Sequence, residues 1–124
     1  MLLLFRLYSL FTVTPTPPGA PQSLMVGTTT HNRVSLSWAP PSSSGGLNIL
    51  EYIVNIVTIG RPDCAFGGEM NVTVMAPSTL AEVNQLAPYS QHRVRVFARN
   101  SKGISLSSNI DNPLLFWTAQ AGKS

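Results

Sequence analysis

In the segment RVSLSW (33–38), apolar and polar residues alternate. Val34, Leu36 and Trp38 fall on one side and Arg33, Ser35 and Ser37 on the other, which is the two-residue period of a half-buried strand. Similar short runs, rich in β-branched and aromatic residues, recur as SLMVGTTT (23–30), ILEYIVNIVTI (49–59), MNVTVMA (70–76), TLAEVNQL (79–86), HRVRVFARN (92–100) and PLLFWTA (113–119). None of these seven runs sustains a 3.6-residue period over helical length. Turn residues separate them, and ten prolines and nine glycines spread along the chain argue against long helices. Seven short strands at this spacing predict an all-β fold, a two-sheet antiparallel β-sandwich. With no crossover helix available, parallel pairing is not expected.

The 124 residues suit one domain. TPTPPGAP (14–21) has the composition of a stiff extended linker, so residues 1–17 read as an apolar segment plus linker, 18–120 as the domain and 121–124 as a tail. The opening stretch MLLLFRLYSLFTV has three readings. It has the length of a signal-peptide apolar region, although Arg6 interrupts it and no basic segment precedes it. It equally fits the last strand of a preceding domain, or a structural part of this one. It is too short to span a bilayer, and no direct membrane insertion by the folded domain is expected.

Charged residues are only 10% of the chain, and the formal net charge is +3. Solubility therefore rests on Ser, Thr, Asn and Gln, a composition more common in secreted β-rich modules than in cytosolic helical proteins, and the charge alone does not imply a nucleic-acid partner. Cys64 is the single cysteine, so no disulfide forms within the chain. It reads as an ordinary loop thiol, with burial or pairing to a neighbouring chain as the alternatives.

Two blocks resemble the fibronectin type III family. The first runs through Leu36, Trp38, Pro40-Pro41, Gly45-Gly46, Ile49, Tyr52 and Val54; the second through Leu86, Pro88, Val94, Val96, Ala98, Asn100 and Gly103. The resemblance covers about positions 18 to 120. It implies an immunoglobulin-like sandwich with three strands in one sheet and four in the other, cored by Leu36, Trp38, Tyr52, Val54, Leu86, His92, Val94 and Val96. It also places the proline pair at the end of the tryptophan strand, at a sheet edge. One position departs from the family pattern. His92 stands where the family has the tyrosine whose hydroxyl bonds backward to the main chain. It reads as a buried structural substitution, with a pH-responsive or metal-binding residue as the alternative.

Catalytic inventory is lacking. His31 and His92 are far apart, the five acids are scattered, and there is neither a nucleophile elbow nor a phosphate loop. No enzyme activity, cofactor or metal is expected. HRVRVFARN interleaves basic and aromatic residues, but an RNA-binding sheet of that kind is backed by helices, and no nucleic-acid partner is expected. The segment NSKGISLSSN carries no Arg-Gly-Asp. Asn71-Val72-Thr73 is the only N-glycosylation triplet. With Val94, Val96 and Ala98 inward, Arg93, Arg95, Phe97 and Arg99 point outward, joined by Ile53, Asn55, Val57, Leu115 and Trp117. Stacking of arginine on tryptophan across strands would make this face a self-contained ladder, and an exposed apolar area rimmed by arginine would make it a protein-binding face.

The expected function is a non-catalytic module of a larger extracellular or cell-surface protein, serving adhesion, receptor architecture or protein–protein interaction. Its partners would be other proteins or neighbouring domains of a longer chain. An intracellular, cytoplasmic module of the muscle type and an accessory module attached to an enzyme are the alternatives.

Overall fold

The computed structural model describes residues 14–62, 65–109 and 112–121. The apolar segment 1–13 and Cys64 lie outside the described residues. Eight strands follow in chain order: β1 (Gln22–Thr29), β2 (Val34–Ala39), β3 (Glu51–Gly60), β4 (Ala65–Met75), β5 (Leu80–Val83), β6 (Gln91–Asn100), β7 (Gly103–Ile104) and β8 (Leu114–Trp117). They form two antiparallel sheets. One has the order β1-β2-β5; the other has β4-β3-β6-β7, with β8 also pairing β6.

All seven expected runs appear as strands, and the eighth is the two-residue β7. It exists because the last strand is interrupted. Between β7 and β8 the edge of β6 is served by serines: Val96 N–H donates to Ser108 Oγ and Ala98 N–H to Ser105 Oγ, each at 2.9 Å. The main-chain N–H groups of the same two serines donate to the carbonyls of Val96 and Ala98 at 2.8 Å. The polar groups of β6 stay satisfied although regular pairing lapses.

Two details differ from the sequence expectation. β2 is the middle strand of its sheet, not an edge. Pro40 and Pro41 are tolerated because pairing already ends at Ala39, opposite Gln22, so no ladder N–H is lost. β4 starts at Ala65, earlier than the run at 70–76, and its eleven residues make it the longest strand.

The core lies between the sheets. From the smaller sheet come Leu24, Val34, Leu36, Trp38 and Val83, and from the larger Tyr52, Val54, Ile56, Val94, Val96, Ala98 and Phe116, with Leu86 in the connection between β5 and β6. Strict alternation of buried and half-buried positions along β2 and β6 gives each strand one inward row. Burying each such aliphatic or aromatic side chain stabilises by about 1.5–3 kcal/mol. Trp38 and Tyr52 meet edge to face, with ring centres 5.5 Å apart and planes at 64°, a favoured aromatic geometry.

At one end of the sandwich the turn after β2 is held by Gly45, whose φ is +78°. A Cβ there would collide with the carbonyl oxygen of Thr16 and come within 2.9 Å of Asn100 Nδ2. That amide nitrogen donates to the carbonyls of Thr16 and Ser44 at 2.8 Å each. Its oxygen accepts from the N–H groups of Lys102 at 2.8 Å and Gly103 at 3.2 Å. The buried Asn100 side chain thereby ties the segment before β1, the turn after β2 and the turn after β6 into one unit.

Candidate functional site on the outer face of the larger sheet

Register decides what this face presents. Cross-strand partners place Asn71, Asn55 and Arg95 in one row, Thr73, Ile53 and Phe97 in the next, and Met75, Glu51, Arg99 and Ile104 in a third. A fourth row runs Glu69, Val57, Arg93 and Leu115. Trp117 lies opposite Gln91, so it has no arginine directly across from it. Among the described residues a cation–aromatic contact runs along β6, with the Arg95 guanidinium carbon 5.7 Å from the Phe97 ring centre.

Much of the polar chemistry is consumed internally. Asn55 Nδ2 donates to Glu69 Oε2 at 2.7 Å and to Asn71 Oδ1 at 2.9 Å, and Arg95 donates to Asn55 Oδ1 at 3.2 Å. Covered by these neighbours, Asn55 is only 4% exposed although it stands in an outward position. Arg99 Nε donates to Glu51 at 2.9 Å. Its guanidinium holds the Glu51 carboxyl below the usual carboxylate range, and Glu51 in turn raises Arg99.

What remains uncommitted lies toward β8. Leu115 is 45% and Trp117 47% exposed. Arg93 makes no salt bridge among the described residues, and the Nε atoms of Arg93 and Arg95 are buried without a hydrogen-bond partner. The two arginines line a depression of about 100 Å³ with Ser107, Asn109 and Pro113. Sequence parity placed the arginines and aromatics outward but missed Asn55 and Glu51 as their partners. The signal was present, since both stand in the outward row of the strand next to β6.

The other position singled out in the sequence, His92, is on the inner side and fully buried. Its ring stacks on Phe116 with centres 5.1 Å apart. Nε2 lies 3.2 Å from the carbonyl oxygen of Ala87 and Nδ1 3.0 Å from Thr58 Oγ1. A carbonyl only accepts, so Nε2 carries the proton and Nδ1 accepts from the threonine hydroxyl. The imidazole thus makes a backward bond to the main chain from the position where the resemblance expects a tyrosine hydroxyl. Desolvation by burial lowers its pKa, against a smaller opposing effect of the Ala87 carbonyl.

The unfolded chain binds a proton at His92 near pH 6.5, and the folded chain resists it. Stability is full above about pH 6.5 and falls on acidification, by at most about 1.4 kcal/mol per pH unit from this group. Denaturant midpoints between pH 5 and 7 should therefore slope more steeply in the parent than in His92→Tyr. Identical slopes would show that His92 is not the group responsible.

A three-stranded and a larger antiparallel sheet, closed on a tryptophan–tyrosine core, define an immunoglobulin-like β-sandwich module. The fibronectin type III domain model matches residues 19–111, and the chain belongs to that family. Domains of this family are generally non-catalytic structural modules. Similar solved structures include a segment of consecutive titin domains, 26% identical with a TM-score of 0.68, covering 83% of this chain and 32% of that one. The FN5 domain of Drosophila Lar is 20% identical with a TM-score of 0.66, covering 84% and 99%. The chicken CNTN1 FN1–FN3 domains are 16% identical with a TM-score of 0.67, covering 85% and 33%. The chain thus spans about a third of the titin segment.

Proposed function

We propose that the chain is a non-catalytic module of a larger extracellular or cell-surface protein, and that it contacts a protein partner or neighbouring domain through the β6–β8 side of its outer face. The observation that carries this reading is the half-exposed pair Leu115 and Trp117 beside an arginine with no salt bridge among the described residues. Aromatic and arginine side chains are the types enriched at interfaces. The contact it fits is apolar, with a carboxylate for Arg93 and Arg95 in the depression they line. The polar, weakly charged composition and the exposed glycosylation triplet support the extracellular setting.

Photo-crosslinking in the full-length parent protein tests the contact. A photoreactive phenylalanine analogue at position 117, which keeps an aromatic ring there, should capture the adjoining surface, and one at position 37, on the smaller sheet's outer face, should not. Arg93→Glu should reduce capture from position 117 at least tenfold. Equal labelling from the two positions removes the proposal. Trp117→Ser should abolish the contact while changing stability by no more than about 0.5 kcal/mol, whereas Phe97→Ser, which removes the ring under Arg95, should lower the melting midpoint.

The identity with titin favours a second reading, an intracellular module of the muscle type. Locating the full-length parent protein in mammalian cells separates the two. Recovery from the medium or the cell surface supports the first, and retention in the cytosol supports the second.

A further inference from the structure

β4 is the free edge of the larger sheet. It pairs β3 from Met75 back to Ala65, and among the described residues no strand lies on its other side. A long edge presents unpaired N–H and C=O groups to any other chain, and proteins blunt such edges with lysine, proline, bulges or inward charges. Met70–Met75, MNVTVM, has none of these. It contains no proline and no charge, and three consecutive β-branched residues, which is the composition of a self-pairing segment. Glu69, the nearest charge, is already engaged by Asn55.

In the middle of this unprotected stretch stands Asn71-Val72-Thr73. The pleat turns Val72 and Val74 toward the core and leaves Asn71 and Thr73 exposed. Asn71 uses only its carboxamide oxygen, which accepts from Asn55. Its nitrogen, the atom that carries an N-linked sugar, donates no bond among the described residues.

We propose that Asn71 is N-glycosylated and that the sugar guards the β4 edge against pairing with another chain. The inference rests on the extracellular reading, since the triplet is used only in chain segments that enter the secretory pathway. In the transfer, Nδ2 bonds to the anomeric carbon of a lipid-pyrophosphate-linked oligosaccharide. The carbon–oxygen bond to the pyrophosphate breaks, the lipid pyrophosphate leaves, and the nitrogen loses one proton. A second strand must come within about 4.8 Å of β4 to extend the sheet, and a hydrated sugar at the strand's midpoint obstructs that approach. The sugar would cover the β4–β3 half of the face and leave the β6–β8 half free for contact.

The test uses the full chain secreted from mammalian cells behind a heterologous cleaved leader, so that it reads the triplet whichever way the native amino terminus behaves. The parent and Thr73→Ser should carry one glycan, and Thr73→Ala and Asn71→Gln none. By light scattering after gel filtration, both unglycosylated variants should self-associate with rising concentration, and the parent should stay monomeric. Thr73→Lys, which also lacks the sugar but puts a charge on the edge, should be monomeric again. This rescue distinguishes edge pairing from simple destabilisation. Enzymatic removal of the sugar is unsuitable because it leaves an aspartate, itself a charged guard. A secreted parent without sugar overturns the modification and leaves the extracellular reading standing; Thr73→Ala as monomeric as the parent overturns the guarding role. Failure of the extracellular reading appears separately, as a cytosolic location of the full-length parent protein.

Discussion

Trp38→Ala is expected to cost about 3–5 kcal/mol, a large part of the roughly 5–15 kcal/mol that holds an ordinary domain folded. Trp38 is buried at the end of β2, edge to face with Tyr52, and belongs to the cluster joining both sheets. Truncation opens a cavity that neither sheet can fill without breaking its ladder, because the neighbouring inward positions are fixed by strand register. Trp38→Phe should lose less. It keeps a ring against Tyr52 and removes the indole N–H, which is buried without a hydrogen-bond partner and so carries a desolvation cost of its own. Denaturant unfolding of the three proteins checks the order. An alanine variant that unfolds cooperatively at the parent's midpoint would mean that the tryptophan is not at the centre of the core.

Asn100→Ala should cost about 3 kcal/mol with no change in the core. The side chain is 1% exposed and uses all four hydrogen-bonding positions of a carboxamide. Its loss leaves two carbonyls and two N–H groups short of partners, each costing about 1–3 kcal/mol if water cannot reach it. Partial rehydration of the turns brings the sum below the low end of that range. Asn100→Asp should lose nearly as much at neutral pH, since a carboxylate then faces the carbonyls of Thr16 and Ser44. It should regain part of the loss on acidification, when a protonated carboxyl can again donate. Hydrogen exchange at Lys102 and Gly103 should rise in the alanine variant ahead of exchange in β3 and β6. Unaltered exchange there would show that Asn100 does not hold the turns together.

The sandwich was legible because alternation is a local property. Val34, Leu36 and Trp38, or Val94, Val96 and Ala98, declare their inward row without knowledge of what lies opposite. Features that depend on two distant segments were less so. The split last strand was hidden because Ser105 and Ser108 accept the β6 N–H groups through side chains, and a serine-rich stretch reads as loop. The early start of β4 passes through Gly67 and Gly68, which offer no side-chain pattern to read. Of the two readings of the outer face, a stacked ladder or a docking face, the ladder needs an arginine across from Trp117, and the entry of β8 after its interruption sets Trp117 against Gln91 instead. Asn55 was placed outward by parity, yet it is buried by Arg95, Asn71 and Glu69 leaning over it, a matter of side-chain length that alternation does not encode.

The junction at Asn100 has a mechanical consequence. Thr16 donates its N–H to Gly45 at 3.0 Å, Gly19 donates to Ser43 at 2.9 Å, and Asn100 holds the Thr16 carbonyl. The proline-rich stretch is thus pinned against the body of the sandwich before β1 begins. Proline fixes φ and keeps its neighbours extended, so the stretch from Thr14 to Pro21 lies against the sandwich as a stiff strip. Tension applied through that stretch would meet these three bonds before it reached the strand ladder.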